Sequence, residues 1–290
     1  MILSVRAHAK INWSLNVLSR RADGYHELDM LMQSLELSDE LAFEEDERTS
    51  LSVGGGPFLP DDGENLVFRA ARALNARAGE SRGARIRLVK HIPARAGLGG
   101  GSADCAAALL ALNRLWGLRL DMPALMDIGR SLGADVPFCM ARGLARVGGV
   151  GEKIAPAAEN PVIALAMVTP GGGLSTAQVF REWDLHGESG ARADLDRLQD
   201  ALRNGDLRRA HALSYNALEA PAMRLMPEIR EIMDWFIALG APFVRLTGSG
   251  STVFAAFPTM EEARAAAARI PGATVTSTER EASWEMEEEL

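Results

Sequence analysis

The stretch "HIPARAGLGGGSADCAAALLALNRLW", residues 91–116, places four glycines around a leucine and continues into a run of alanine and leucine. Glycine lacks a Cβ, so a loop of Gly97, Leu98 and residues 99–101 can adopt positive φ angles and bring backbone N–H groups close to a ligand. A helix N-terminus at the same place favours negative charge. We expect the helix to begin near Ser102, whose hydroxyl can cap it. The stretch predicts a phosphate-binding loop.

The spacing excludes the two commonest phosphate loops. No Gly-Lys-Ser/Thr follows the glycines, which excludes the Walker A loop, and Ser102 interrupts the dinucleotide-binding G-x-G-x-x-G pattern. A helix-entry loop without a ligand is the structural alternative. Pro93 upstream and the uninterrupted helical pattern downstream favour the phosphate site.

Composition and charge bound the class of protein. The 290 residues are 47% hydrophobic and 24% charged, which suits a globular protein of one large or two medium domains. Lys and Arg total 31 against 39 Asp and Glu, and the formal charge of −8 argues against nonspecific nucleic-acid binding. The N-terminus lacks a signal-peptide pattern, and no segment has the roughly 20 apolar residues that span a bilayer. We expect a cytoplasmic protein with no membrane partner.

The sequence gives no functional role to the two cysteines or to the acidic C-terminal segment. Cys105 and Cys139 belong to no pair or cluster with metal-ligand spacing, which favours reduced, buried thiols. The end "EMEEEL", residues 285–290, reads as a solvated tail.

The chain alternates strand-like and helical segments. It is strand-like to about Val53, with a turn at Asp23-Gly24, and "NLVFRAARALNARAG" at residues 65–79 has helical spacing. Residues 155–162, "APAAENPV", are our candidate crossing between halves, which we place at residues 1–158 and 159–290. The pattern predicts an α+β protein.

Polar residues in two apolar segments are candidate site residues. Lys10 and Asn12 lie two apart in a predicted strand, so both side chains face the same side. A lysine on a solvent-facing edge is the alternative. Asp135 follows a short helix and precedes a proline, where a turn or capping role is the alternative.

Together these segments resemble the GHMP kinases, a superfamily of small-molecule kinases. The glycine loop is common to the superfamily, whereas "RADGYHEL" with "GADVPF" is more selective and resembles the branch whose acceptor is a methylerythritol unit linked to cytidine diphosphate. The ordered set is "AKINWSLNV", "RADGYHEL", "NLVFRAA", "PARAGLGGGSADCAAAL", "LGADVPF", "PGGGLSTAQVF" and "LTGSGSTVFA".

The resemblance implies a fold and an activity. The expected fold is a two-domain α+β structure with a mixed-sheet N-terminal half and a ferredoxin-like C-terminal half. The expected reaction moves the γ-phosphoryl group of ATP, with Mg²⁺, to the 2-hydroxyl of the acceptor in non-mevalonate isoprenoid precursor synthesis. Asp135 matches the family's catalytic base and Lys10 its catalytic lysine.

The resemblance also assigns ligand-binding residues. Ala103 stands where the family has a second serine, and Cys105 stands where alanine is usual. The expected ATP-binding residues are Asn65 and the loop residues Pro93, Ala94, Arg95, Ala96, Gly97, Leu98, Gly99, Gly100, Gly101, Ser102 and Ala103. The expected acceptor-binding residues are Asn12, Tyr25, His26, Thr176, Phe180 and Gly248.

Three of the acceptor residues suit a pyrimidine base by their chemistry. Tyr25 and Phe180 supply aromatic faces for a pyrimidine, and His26 can hydrogen-bond the edge of the base. Without the resemblance, Phe180 would read as a core residue, Asn65 as a helix cap, and "TGSG" at residues 247–250 as a hairpin turn.

Two other functions remain open at this point. Another GHMP kinase, acting on homoserine, mevalonate, phosphomevalonate or a sugar, would share the glycine loop but has no evident use for the aromatic residues and the imidazole. A non-catalytic ligand-binding protein on the same scaffold is disfavoured because Lys10 and Asp135 are both present. The oligomeric state and the metal ligands are not set by the sequence.

Overall fold

The computed structural model describes residues 2–55, 63–186 and 193–289. Within these ranges the chain forms two β-sheets with helices packed on them. The predicted α+β class is confirmed.

The first sheet is mixed and its strands follow the order β11-β1-β2-β4-β3, with β5 paired to the first part of β2 and β6 paired to β5. Strands β3 and β4 run parallel, and the other pairs are antiparallel. Its strands are β1 (Ile2–Arg20), β2 (His26–Asp46), β3 (Ser50–Gly54), β4 (Gly83–Val89), β5 (Leu144–Gly149), β6 (Lys153–Pro156) and β11 (Met286–Glu289).

Four helices accompany this sheet: α1 (Leu66–Ala78), α2 (Gly100–Leu115), α3 (Met122–Leu132) and α4 (Val136–Ala141). Helix α1 begins where Asn65 Oδ1 accepts a hydrogen bond of 3.0 Å from the N–H of Val67, and it ends at Gly79 with φ +66°. Helix α2 is buried along most of its length because its alanines leave little side chain between its backbone and its neighbours.

The second sheet is antiparallel and follows the order β10-β7-β9-β8. This order, with helices between β7 and β8 and between β9 and β10, confirms the ferredoxin-like half. Its strands are β7 (Ala164–Val168), β8 (Phe243–Leu246), β9 (Val253–Phe257) and β10 (Thr274–Ser277), and its helices are α5 (Thr176–His186), α6 (Leu195–Arg203), α7 (Leu207–Leu213), α8 (Glu219–Leu225), α9 (Glu228–Ala238) and α10 (Met260–Ala267).

The prediction of a solvated C-terminal tail is wrong, because Met286–Glu289 forms strand β11 along the edge of β1, with Met286 opposite Val5. Trp284 and Met286 are half-buried against the hydrophobic core between the first sheet and its helices, and Trp284 Nε1 donates a hydrogen bond of 2.8 Å to the carbonyl of Met140. The short alternation of apolar and acidic residues over 284–287 is the strand signal that was outweighed by the net charge of the segment.

Strand β1 connects the two halves. The Trp13 ring packs edge-on against Phe243 and Phe254 of the second sheet, at centroid distances of 5.0 and 5.5 Å. The N–H of Leu15 donates to the carbonyl of Tyr215 at 2.8 Å. Strand β1 therefore contributes side chains to the hydrophobic cores of both halves. The domain boundary near residue 158 stays a prediction.

Candidate active site

A cavity of about 990 Å³ collects most of the predicted site residues. Two loop residues do not line it: Leu98 is buried in the core beneath β1, and Ala103 is buried in the core around α2. The predicted residues that line the cavity are Lys10, Asn12, Tyr25, His26, Asn65, Pro93, Ala94, Arg95, Ala96, Gly97, Gly99, Gly100, Gly101, Ser102, Asp135, Thr176, Phe180 and Gly248.

The glycine loop needs glycine at two positions for reasons of space as well as conformation. Gly97 has φ +78°, and a Cβ there would lie 2.3 Å from the carbonyl oxygen of Thr247. Gly99 has φ +71°, and a Cβ there would lie 2.9 Å from Cγ of Lys10. The loop is therefore pressed against the lysine and against a loop of the other half.

The predicted start of helix α2 is corrected by two residues. The helix begins at Gly100 with Gly99 at the N-cap, and no side chain of the described residues caps it. Ser102 lies in the first turn and lines the cavity. Uncapped N–H groups at this end are available for an anion.

Lys10 is positioned by an irregularity in β1. The register between β1 and β2 shifts between His8 and Lys10, and the N–H of Lys10 donates to the carbonyl of Leu98 at 2.9 Å. The strand thus bonds to the glycine loop where it leaves regular pairing. The predicted strand placement of Lys10 and Asn12 is confirmed.

Lys10 links the two predicted polar segments. Its Nζ donates to Oδ1 of Asn12 at 2.9 Å and lies 3.4 Å from Oδ2 of Asp135. The lysine side chain is 5% exposed, so the alternative of a solvent-facing lysine is wrong, while the Asp135 side chain is 32% exposed toward the cavity. Asp135 precedes α4 but makes no capping hydrogen bond through its side chain within the described residues. The carboxylate is free to contact a ligand.

The loop of residues 247–250 joins this group from the second half. Thr247 Oγ1 accepts from the N–H of Asn12 at 3.1 Å and donates to the carbonyl of Gly97 at 3.3 Å. A Cβ on Gly248, whose φ is +56°, would lie 3.3 Å from both Lys10 Nζ and Asn12 Oδ1. The segment is also the turn between β8 and β9, as the hairpin interpretation predicted, and its role in ligand binding stays a prediction.

A second group of lining residues surrounds His26. Tyr25 is 64% exposed in the turn before β2, whereas His26 is buried at the start of that strand. Phe180 on α5 stacks on the imidazole, with ring centroids 4.6 Å apart and planes 18° apart. Thr176 Oγ1 is 2.8 Å from Ser249 Oγ, which ties α5 to the loop of residues 247–250.

Sequence reasoning missed the partner of His26. Asp184 on α5 also lines the cavity, and its Oδ1 lies 2.8 Å from His26 Nε2. Its Oδ2 lies 3.7 Å from Nε of Arg20, another lining residue. Asp184 has no local sequence signal, because a carboxylate on an amphipathic helix ordinarily faces solvent.

A buried charge network beneath the glycine loop was also missed. Lys90 Nζ pairs with Asp39 and, at 2.6 Å, with Asp104. Oδ1 of Asp39 accepts from the N–H groups of His91 and Ile92 at 2.5 and 2.8 Å, which holds the start of the loop. A single carboxylate inside the alanine-rich segment of residues 103–112 was the available signal.

Burial and charge oppose each other in this network. Burial raises the pKa of Asp104 to about 7, against the attraction of Lys90. Burial lowers the pKa of Lys90, but the two carboxylates more than offset it, so the net direction is upward. The network therefore keeps a cation close to the first residue of α2, where a Cβ on Gly100 would lie 3.3 Å from Lys90 Nζ.

The described residues contain no cluster of three or more His, Cys, Asp or Glu side chains that could hold a metal ion. Mg²⁺ at a nucleotide, however, is commonly held by one or two carboxylates together with phosphate oxygens. Asp135 faces the cavity, and the lining residue Asp104 has a buried Oδ1 without a hydrogen-bond partner in the described chain. This donor set fits such an ion.

The two cysteines and the helices were also compared with the sequence predictions. Both predicted free cysteines, Cys105 and Cys139, are buried, and burial raises the pKa of the Cys105 thiol to about 12. Among the helices of the described ranges, none is long and apolar enough to cross a membrane. The predictions of a cytoplasmic location and of no nucleic-acid partner stay predictions.

Comparison with known proteins identifies families and relatives that this chain resembles. The family described as "GHMP kinases N terminal domain" matches residues 65–143, and "GHMP kinases C terminal" matches residues 194–274. A 4-diphosphocytidyl-2-C-methyl-D-erythritol kinase of Pelotomaculum thermopropionicum is 43% identical over 270 residues, which cover 93% of this chain and 94% of the relative.

Solved structures agree. The crystal structure of a 4-(cytidine 5'-diphospho)-2C-methyl-D-erythritol kinase matches with a TM-score of 0.81 at 37% identity, covering 94% of this chain and 98% of that one. Homoserine kinase from Cytophaga hutchinsonii matches with a TM-score of 0.69 at 18% identity, covering 98% and 97%, and shares the fold.

Sequence and structural similarity over nearly the whole chain identify an ATP-dependent small-molecule kinase. The chain belongs to the 4-diphosphocytidyl-2-C-methyl-D-erythritol kinase family of the GHMP kinases.

Proposed function

We propose that the chain transfers the γ-phosphoryl group of ATP to the 2-hydroxyl of 4-diphosphocytidyl-2-C-methyl-D-erythritol, with Asp135 as general base and Lys10 as its cationic partner. The observation that carries the proposal is the 3.4 Å approach of Lys10 to Asp135 beside the glycine loop, in a cavity that Tyr25 and His26 also line. The proposed acceptor is the substrate named in the family relatives.

The pair suits proton transfer from an alcohol. Asp135 accepts the hydroxyl proton as the oxygen attacks the γ-phosphorus, while the bond from that phosphorus to the β,γ-bridging oxygen breaks and ADP leaves. Lys10 stabilises the ionised carboxylate and offsets the negative charge that develops on the transferring group. Asn12 holds the lysine in place through its 2.9 Å hydrogen bond. Positioning and electrostatics supply most of the acceleration in such reactions.

The glycine loop and α2 bind the triphosphate. Backbone N–H groups near Gly99 and Gly100 contact the phosphates, Ser102 adds a hydroxyl, and the cation of Lys90 lies beneath. Asn65 caps α1 and lines the cavity, and it is the proposed contact to the adenine.

Mg²⁺ accompanies the nucleotide in this proposal. Asp104, whose Oδ1 has no hydrogen-bond partner among the described residues, is the carboxylate that would hold it together with phosphate oxygens, which leaves Asp135 as the base. When bound, the ion neutralises phosphate charge.

The cytidine diphosphate end of the acceptor binds in the part of the cavity that is lined by His26 and the residues around it. Tyr25 and Phe180 provide aromatic faces for the pyrimidine, and the imidazole of His26 hydrogen-bonds its edge. Thr176 and Gly248 complete the acceptor contacts.

The boundary between the two proposed domains lies near residue 158.

The test is an ATP-consumption assay with purified protein, Mg²⁺ and five acceptors: 4-diphosphocytidyl-2-C-methyl-D-erythritol, homoserine, mevalonate, phosphomevalonate and galactose. Turnover confined to the cytidine compound supports the proposal. Turnover with another acceptor alone would overturn the roles of Tyr25, His26 and Phe180 while retaining the phosphate loop. Inactivity of folded protein across the panel would favour a non-catalytic binding protein.

A further inference from the structure

The imidazole of His26 is held on three sides by a single helix. Phe180 stacks on its face at 4.6 Å, and Trp183 packs edge-on at 5.4 Å with an interplanar angle of 86°. Asp184 meets Nε2 at 2.8 Å. All three residues belong to α5, so the helix fixes both the plane of the ring and the hydrogen bond of one nitrogen.

The contact with Asp184 sets the chemical character of the ring. An ionised carboxylate can accept hydrogen bonds and cannot donate them, so Nε2 must carry the proton. Nε of Arg20 lies 3.7 Å from the other oxygen of Asp184, so the carboxylate also has a cationic neighbour. In a neutral imidazole with its proton on Nε2, Nδ1 is an acceptor.

The acceptor nitrogen remains available for a ligand. Nδ1 of His26 makes no hydrogen bond to the described residues, and it is not among their buried polar atoms that lack a partner. The residue itself lines the cavity. A ligand that reaches Nδ1 must present a donor to satisfy it.

We propose that Asp184 is a positioning residue that holds His26 in the Nε2–H tautomer and thereby selects a cytosine base over a uracil base. The inference rests on the proposed function, which brings a pyrimidine to this group. Cytosine presents an amino donor at position 4, whereas uracil presents a carbonyl acceptor there. Nδ1 can accept from the first and repels the lone pairs of the second.

The size of the expected selection follows from the loss of one hydrogen bond. We expect kcat/KM for the cytidine acceptor to exceed that for its uridine analogue by a factor on the order of 10 to 100. A structural role for Asp184, limited to holding α5 against β2, would produce no such dependence on the base.

The first measurement reads the tautomer without any substrate. The full-length protein is labelled with ¹⁵N-histidine, and the His26 signals are assigned by their loss in His26→Gln. The expected spectrum has a protonated Nε2 and an unprotonated Nδ1 at pH 8. In Asp184→Asn the amide can donate to Nε2, so protonation shifts toward Nδ1, and Asp184→Glu restores the original pattern.

The second measurement compares kcat/KM for the cytidine and uridine acceptors in the same proteins. Asp184→Asn should lose activity on the cytidine compound and narrow the ratio between the two bases at least several-fold, and Asp184→Glu should recover most of it. Glu182→Gln is the matched control, because it removes an ion pair of α5 with Arg224 and does not contact His26. It should leave the ratio unchanged.

The outcomes separate this inference from the proposed function. A wild-type His26 protonated on Nδ1, or an equal loss on both bases in Asp184→Asn with native circular dichroism, would overturn the role of Asp184. Equal wild-type turnover of both acceptors would overturn the base selection alone. Wild-type inactivity with both would overturn the proposed function and the selection with it, and the NMR result would still report the tautomer.

Discussion

The ammonium of Lys10 lies 3.4 Å from a carboxylate oxygen of Asp135, although the two residues belong to a central strand and to the start of a short helix far along the chain. The lysine is buried and the aspartate reaches the cavity. The pair is therefore arranged so that the carboxylate can contact a ligand while the lysine stabilises its charge from behind.

Replacing Asp135 with asparagine tests the proposed base. The variant keeps the shape of the side chain but cannot take a proton, so we expect kcat to fall by a factor of about 10² to 10⁴. Dissociation constants of an ATP analogue and of the acceptor should change by less than about three-fold. Asp127→Asn, at an exposed position on α3, is the control. Near-normal turnover in folded Asp135→Asn would remove Asp135 as the base.

Adding a methyl group at Gly99 tests the contact between the phosphate loop and the lysine. In Gly99→Ala the new Cβ would lie 2.9 Å from Cγ of Lys10, at a φ of +71°. The new methyl group would displace either the glycine loop or Lys10, and either displacement would misalign the reacting groups. We therefore expect kcat/KM for ATP to fall at least about 10-fold. Gly79→Ala has a similar φ of +66° and open space around its Cβ. It controls for backbone strain, and an equal effect of both variants would contradict the crowding argument.

Removing the aromatic ring of Tyr25 tests where the base binds. The side chain is largely exposed and lines the cavity, so Tyr25→Ala should leave stability almost unchanged. Stacking of a base on an aromatic ring contributes about 1–3 kcal/mol, which corresponds to a rise of about 5- to 150-fold in KM for the acceptor. KM for ATP should stay within about two-fold. Leu185→Ala, which removes an exposed apolar side chain of α5, is the comparison. Parallel losses for both ligands would argue against stacking.

Much of this architecture could be predicted from local patterns. The turn at Asp23-Gly24, the helix capped by Asn65 and ended by Gly79, and the glycine loop before α2 each depend on neighbouring residues. The resemblance added the two-sheet arrangement, because the order β10-β7-β9-β8 has no local signature.

What escaped prediction depends on contacts between distant segments. Asp184 meets His26, and Lys90 lies between Asp39 and Asp104, only when α5, β2 and α2 are packed together. The acidic strand β11 was misread because net charge was weighed above the alternation around Trp284. The cap assigned to Ser102 failed because Gly99, which precedes it, already allows the helix to begin.

The network of Lys90 gives an asymmetric prediction for stability. Lys90→Met leaves Asp39 and Asp104 buried without a cation. Removing one partner of a buried ion pair typically lowers the free energy of unfolding by about 3–5 kcal/mol, and we expect a loss of about 3 kcal/mol or more here. Asp104→Asn leaves Lys90 paired with Asp39 and removes a carboxylate whose pKa burial has raised, so we expect a loss below about 1 kcal/mol. The free energy of unfolding from urea titrations at pH 8 measures both. A larger loss in Asp104→Asn than in Lys90→Met would contradict the electrostatic account.

His8 makes the stability of the fold depend on pH. Burial, followed by the charge of Arg142, lowers the pKa of His8 from 6.5 to about 4. Glu279, 3.5 Å from Nδ1, does not hold a second proton on the ring because it is already paired with Arg142, and Nδ1 donates instead to the carbonyl of Leu35 at 2.7 Å.

The sign of the effect follows from proton binding. Between pH 6.5 and 4 the unfolded chain binds a proton at His8 that the folded protein does not. The contribution of His8 to the free energy of unfolding is therefore complete above pH 6.5 and is lost as the pH falls toward 4. A pKa difference of this size corresponds to at most about 3–4 kcal/mol of unfolding free energy. His8→Gln can still donate to the carbonyl of Leu35 but does not titrate. Urea titrations from pH 4 to 9 should give parallel profiles for both proteins above pH 7, with the wild type falling more steeply below pH 6.5. Parallel profiles over the whole range would mean that His8 binds its proton equally well in the folded protein.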